Sequence, residues 1–187
     1  MKKPAFSALF LAWAITQAAA APEKYEINPI NSFVLFKVGF LWASNISGCF
    51  CGGVSGMVSF DPAVPEKSTV ELDIKTDTLD TGVALLNKDI KSPDFLNVRQ
   101  FHSITFKSKS VRKVDDQQYM VIGDLTLHGI TKPLTLRADL IGQGKDLKGE
   151  LHAGADIRLI VRLSEFGVKH QLPALGNDVF LTIGVRN

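Results

Sequence analysis

Cys49 and Cys51 are the only thiols in the chain, and their C-x-C spacing raises two chemistries, disulfide exchange and metal ligation. On a strand, residues two apart share a face. Their Cα atoms would then lie roughly 6.5–7 Å apart, the outer limit for a bridge. A bond requires a kink or bulge, and Gly52 and Gly53 could supply that bend. The pair reads either as passive, bonded or free, or as a strained redox couple. Two sulfurs alone make a poor zinc site, because zinc takes four ligands and no histidine is near in sequence. The four histidines are scattered: His102 and His170 fall in turns, His128 at a hairpin tip, and His152 at an outward strand position beside Leu151. Each reads as a solvated side chain, and no helical or hairpin spacing gathers a ligand set, so no metal is expected. Asp77, Asp80, Asp89 and Asp94 cluster around a predicted helix, where capping and turn formation account for them. No G-x-S-x-G elbow, Walker loop, H-E-x-x-H or C-x-x-C is present. The sequence argues against an enzyme and calls for no cofactor.

The elements that would position any site are strands. Val121, Leu125 and Leu127 are apolar at alternate places with Gly123 between them, while Asp124, Thr126 and His128 take the other parity. His128 to Pro133 reads as a turn, after which Leu134, Leu136, Ala138 and Leu140 restart the alternation. The spacing predicts eight strands: Ser32–Phe40, Ser47–Phe60, Ser68–Lys75, Ser103–Val111, Tyr119–Leu127, Leu134–Gly142, Leu147–Arg158 and Val179–Val185. One helix is predicted over Thr81–Ile90, with Val83, Leu86 and Ile90 on one face and Thr78 or Asp80 as its cap. A second helical turn fits Leu163–Phe166.

The expected architecture is therefore all-β: an eight-stranded antiparallel barrel with one short helix packed at it. Charges fix the parity. Lys37 outside puts Val34, Phe36, Val38 and Phe40 inside. Glu71 and Asp73 outside put Val70, Leu72 and Ile74 inside, and Lys107 and Lys109 do the same for Ile104 and Phe106. Val179, Leu181, Ile183 and Val185 form the last inward set. An eight-stranded interior is filled by side chains or holds one small ligand, and periodicity does not choose between them.

The first twenty residues read as a secretory signal. Lys2 and Lys3 form a basic start, Ala5 to Ile15 an apolar run, and Ala18–Ala20 the small residues before cleavage. The run is too short to span a bilayer, which needs about 20 apolar residues. The mature chain, residues 21–187, is then one exported domain, expected in the periplasm. No cysteine stands at the cleavage point for a lipid anchor. Removing Lys2 and Lys3 takes away both charges of the +2 total, leaving a formally neutral chain. With no basic stripe bearing interleaved aromatics, nucleic acid is not an expected partner.

A set of short motifs, in order, carries a resemblance. Gly123-Asp124-Leu125-Thr126 followed by Gly129, Thr131, Lys132, Pro133 and Leu134 resembles the hallmark hairpin of the YceI-like family of periplasmic lipocalin-like proteins. Phe60-Asp61-Pro62 with Pro65-Glu66-Lys67-Ser68, Ser92-Pro93-Asp94-Phe95, Ile104-Thr105-Phe106-Lys107-Ser108 and Phe166-Gly167 match further family segments. The resemblance implies a lipocalin-like barrel that binds a polyisoprenoid or isoprenoid quinone, with no catalysis. The barrel-lining residues expected to bind it are Val34, Phe36, Val38, Phe40, Val70, Leu72, Ile74, Leu86, Ile104, Phe106, Val121, Leu125, Leu136, Leu181 and Ile183. A transient contact with a membrane follows from such a cargo, and the oligomeric state, a homodimer included, is open.

The chain also departs from the pattern. Asn31-Ser32 stands for the family's His-Ser, and Phe40 for a second His. Leu86, Asn87, Lys88, Asp89 and Ile90 stand for R-D-x-H-L, so that Arg and His are absent. Val161-Arg162 replaces N-R, Glu165-Phe166-Gly167 replaces D-F-G, and the Cys49–Gly53 loop is one residue longer. Lost polar positions near the barrel mouth imply a less polar lipid. Two other readings stay open: an interaction or stress-response module with a filled barrel, and a thiol redox role for Cys49 and Cys51.

Overall fold

The computed structural model describes residues 21–168 and 174–187. The expected signal segment and His170 lie outside the described residues. Strands β1 (Glu23–Glu26), β2 (Phe33–Phe40), β3 (Ser44–Phe50), β4 (Val54–Phe60), β5 (Thr69–Lys75) and β6 (Leu79–Asp80) precede one helix, α1 (Ala84–Lys91). Strands β7 (Ser103–Lys113), β8 (Gln118–Leu127), β9 (Ile130–Lys145), β10 (Leu151–Arg162) and β11 (Leu175–Arg186) follow it. All pair antiparallel in one sheet, in the order β1-β4-β5-β7-β8-β9-β10-β11-β2-β3-β6. β3 and β4 stand near opposite ends of that order yet are successive in the chain, joined by Cys51 to Gly53. The sheet therefore curls back on itself around an interior.

Among the described residues, eleven strands replace the expected eight for two physical reasons. The Ser47–Phe60 run breaks into β3 and β4 because Gly52 turns the chain at φ 68°. β1 and β6 have only four and two residues, too few to show an alternating pattern. The turn after β8 is also shorter than expected. His128 and Gly129 both take left-handed φ, 51° and 73°, and close a two-residue hairpin in which Leu127 pairs with Ile130. Thr131, Lys132 and Pro133 are thus strand residues. Pro133 is tolerated because it pairs with Asp124 on one side only; the β9–β10 ladder begins at Ala138.

Burial follows the expected parity. Along β8 every second residue from Tyr119 to Leu127 is buried, with half-buried residues between. Gly123 occupies an inward place because a Cβ there would lie 2.6 Å from the ring of Phe106. Gly48, opposite Phe36 in the β2–β3 register, is forced in the same way, at 2.5 Å from that ring. Outside, Lys107 meets its cross-strand partner Glu71 at 2.9 Å. The Glu71 carboxylate, hydrogen-bonded to the Lys107 ammonium, holds that lysine above its usual range.

α1 starts later than expected. Val83 sits at its N-cap position, 54% exposed, and not on the buried face. Neither Thr78 nor Asp80 caps the helix: Thr78 Oγ1 donates to Lys75 O, and Asp80 Oδ1 accepts from Gly82 N and Asn87 Nδ2. Those two bonds, the Asn87 one first, hold Asp80 below its ordinary carboxylate range and pin the turn before the helix. Ile90 is the inward residue; with Phe95 and Leu96 it buries the end of the barrel from which β2, β8 and β11 present Val38, Leu127 and Leu175. Leu163–Phe166 forms the expected helical turn, as a 3-10 turn ended by Gly167 at φ 75°.

Candidate functional site

The interior is hollow along two narrow stretches. The first chamber encloses about 90 Å³ between β1, β4, β5, β7–β11 and the segments next to them. The second encloses about 120 Å³ beneath α1. A single water takes about 10–15 Å³ on this scale, so each chamber holds several atoms' width of free space and no more. Leu136 of β9 lines both, so the chambers lie end to end. Along β8 the lining runs from Tyr119 to Leu127. That is about 27 Å of strand, or about 20 Å along the axis of a barrel tilted about 40°. Two narrow chambers in series fit a chain better than a compact molecule.

The expected lining residues are distributed between them. Val34, Phe36 and Val38 of β2, Leu72 and Ile74 of β5, Ile104 and Phe106 of β7, Leu125 of β8, and Leu181 and Ile183 of β11 line the second chamber. Val70 and Val121 line the first, and Leu136 lines both. Phe40 and Leu86 line neither. Phe40 ends β2 at the rim, paired with Leu175 and Ser44, and is half-buried against the core. Leu86 packs on the core from α1, where Ile90 takes the inward position. The parity argument placed strand residues well; it had no rule for where a strand leaves the barrel.

The chambers differ in chemistry. Thr105 is the one polar residue of the second chamber's wall, whose other members are Val, Leu, Ile and Phe. The first is lined by smaller side chains, Ala138, Ala153, Gly154 and Ala155, and by two tyrosines. Tyr25 is 3% exposed and donates its hydroxyl to Glu23 Oε2 at 2.6 Å. Burial, then the Glu23 carboxylate, push its pKa up to about 12. Tyr119 packs edge-on to Phe60, with ring centroids 5.2 Å apart. Arg186 and Asn187 form the rim of this chamber. Arg186 donates to Asp156 Oδ1 at 2.7 Å and to the carbonyls of Ala155 and Val185. The Asn187 side chain accepts from Ala153 N and donates to Leu151 O, acting as one more rung beside β10.

Other candidate chemistry lies outside the chambers. A disulfide joins Cys49 to Cys51 with Cα atoms 5.2 Å apart. The expected 6.5–7 Å fails because the strand ends at Phe50 and the chain turns. Cys49 lies opposite Leu35 and Asp80, and neither sulfur lines a chamber. His102 is exposed, but His128 is not a solvated turn residue. It is half-buried, its ring lies 4.3 Å from that of Phe101, and Nδ1 stands 3.2 Å from Phe166 O. His152 does meet acids. Asp146, Glu150 and His152 bring ligand atoms within 4.8 Å of one another at the exposed β9–β10 turn, a D-x-x-x-E-x-H grouping that the sequence reading overlooked. The Asp146 carboxylate there serves the turn itself, accepting from Glu150 N and Lys148 N. Those bonds and His152 hold it below the ordinary range, the Glu150 amide foremost.

Comparison with known proteins agrees with this geometry. The YceI-like domain profile matches residues 25–186. A UPF0312 protein of Pseudomonas putida is 39% identical over 172 residues, 90% of this chain and 89% of that one. Among solved structures, Burkholderia cenocepacia BcnA superposes with a TM-score of 0.78 at 19% identity, covering 86% of this chain and 99% of its own. A polyisoprenoid binding domain from Saccharophagus degradans gives 0.66 at 13% identity, covering 88% and 97%. The ordered motifs, the curled antiparallel sheet and the match across nearly all the described chain together make this protein a member of the YceI-like family.

Proposed function

We propose that this protein is a binding protein, not an enzyme, and that it carries an isoprenoid-type lipid, a polyisoprenoid or an isoprenoid quinone, along its two chambers in the periplasm. The observation that carries the reading is the pair of narrow, nearly all-apolar chambers in series. A long hydrocarbon tail gains about 0.8 kcal/mol for each CH₂ taken out of water. Such a tail cannot cross an aqueous compartment unaided, and a curled sheet around an apolar interior solves that problem without chemistry. The polyisoprenoid binding domain with the same fold supports the choice of ligand. The Lys2-Lys3 start, apolar run and Ala18–Ala20 triplet support export. No helix among the described residues is long and apolar enough to cross a membrane.

Titration of delipidated mature protein with a long-chain isoprenol and with an isoprenoid quinone tests the reading. Saturable one-to-one binding and a higher thermal midpoint are expected. Absence of both for both ligands would overturn it. Export is tested by N-terminal sequencing of the accumulated protein, which should begin at Ala21; a steady-state pool retaining Met1 would refute it.

A further inference from the structure

Tyr119 offers the wall of the first chamber a polar group that no other side chain uses. It is 6% exposed and lines the first chamber; its hydroxyl makes no hydrogen bond among the described residues and, unlike Ser92 Oγ and Asp139 Oδ1, is not sealed off, so it is open to a molecule in the chamber. Buried tyrosine hydroxyls normally find a partner, and one without calls for an explanation. Tyr25, the other tyrosine of the same wall, illustrates the rule by bonding to Glu23. The surroundings of Tyr119 leave room beside it. Its neighbour across the β8–β9 ladder is Ala138, and the wall continues through Ala153, Gly154 and Ala155. The second chamber is bounded instead by Phe36, Phe50, Phe95 and Phe106.

We infer that the first chamber is the head-group end of the ligand site, and that Tyr119 donates a hydrogen bond to an oxygen acceptor on an uncharged head. The inference rests on the isoprenoid reading above and adds orientation and head-group class to it. The tail lies in the second chamber, where the wall offers hydrocarbon nothing but hydrocarbon apart from Thr105. The head lies beside Tyr119, with its acceptor facing the phenol. Charge excludes a phosphorylated head. The one cationic side chain on the first chamber's wall is Arg186, and its guanidinium is already bonded to Asp156 and two carbonyls. A diphosphate seated there would lose its hydration without gaining a free cation. A ring carbonyl, ether or alcohol oxygen loses little and gains the phenol.

The test uses full-length mature protein, a benzoquinone with a prenyl tail, a prenyl diphosphate of the same tail and the corresponding hydrocarbon. Tyr119→Phe keeps the ring against Phe60 and removes only the hydroxyl. Quinone affinity should fall about threefold to tenfold, the worth of one neutral hydrogen bond. Hydrocarbon affinity should not change, and the diphosphate should bind the unaltered protein more weakly than the quinone. The infrared carbonyl stretch of the bound quinone should be shifted to lower frequency in the unaltered protein and restored in Tyr119→Phe. Equal quinone affinity and equal carbonyl frequency in the two proteins would overturn the inference while leaving the carrier reading intact. Preference for the diphosphate would overturn the head-group class. Failure of all three probes to bind the unaltered protein would overturn the carrier reading and this inference with it.

Discussion

Single residues decide what the lumen can hold. Phe36 and Phe106 are 8% and 5% exposed, each laid over a glycine, and each lines the second chamber. Phe36→Asp or Phe106→Asp places a lone carboxylate in an apolar wall, at a cost of several kcal/mol or a forced protonation. Either change should abolish folding or ligand binding. Lys107→Asp, one residue along and exposed, should be mild, although it faces Glu71. Urea midpoints and ligand retention for the three variants check this; a Lys107→Asp effect as large as the two Phe changes would mean the strand faces the other way. Tyr25 gives a pH prediction. Its folded-state pKa, about 12, lies above the ordinary 10, so the neutral phenol is favoured by folding. That stabilisation is complete below pH 10 and is lost as pH rises through 12. Tyr25→Phe should flatten the alkaline limb of the stability curve between those values, as read by denaturation at fixed pH. Inward residues on long strands were legible in the sequence because charge marks the opposite parity. Tyr119 shares the parity of Val121 and Leu125, yet its hydroxyl drew no notice beside two apolar neighbours. Its lack of a partner exists only once the fold is formed.

Elements were legible where they are long and regular. β5, β7, β8 and the inward half of β11 follow alternations visible in sequence. The short ones were not: β1, β6 and the break between β3 and β4 depend on ladder partners far away in the chain. The two-residue β8–β9 turn was hidden by Pro133, which reads as a turn residue and is in fact a strand residue with one unpaired side. Gly129 should be the most sensitive position of that turn. It has φ 73°, and an added Cβ would lie 2.6 Å from the ring of Phe101. Gly129→Ala should cost about 1–2 kcal/mol or more. The thermal midpoint should drop about 2–4 °C for each kcal/mol in a domain this size; no drop would show that Phe101 moves aside freely. The Cys49–Cys51 bridge should matter far less. It closes almost no chain, so it removes little unfolded-state entropy, and it lies off the chamber walls. Replacing both cysteines with Ser should leave the midpoint and ligand retention nearly unchanged, with or without reductant. Lost retention at an unchanged midpoint would favour a thiol role.

As a whole molecule the protein is one curled sheet, with β1 and β6 as its edge strands, in which bent runs of chain change ladder partners. β3 gives way to β4 at Gly52, and β5 to β6 through the 3-10 turn at Thr76–Thr78. α1 and the Ser92–Phe95 corner then cover one end, while Arg186 and Asn187 edge the other chamber. The family motifs made this architecture legible in advance. Whether its interior is filled or hollow was not, because alternation reports which side a residue faces and not how far apart opposite walls stand. The hollow is the central claim. Native mass spectrometry of the protein purified from its own cells, followed by organic extraction and mass analysis of the extract, tests it most directly. The predicted result is one bound molecule per chain, released on extraction as a long isoprenoid lipid. Protein that is recovered at its bare polypeptide mass, and yields no lipid on extraction, would contradict the account.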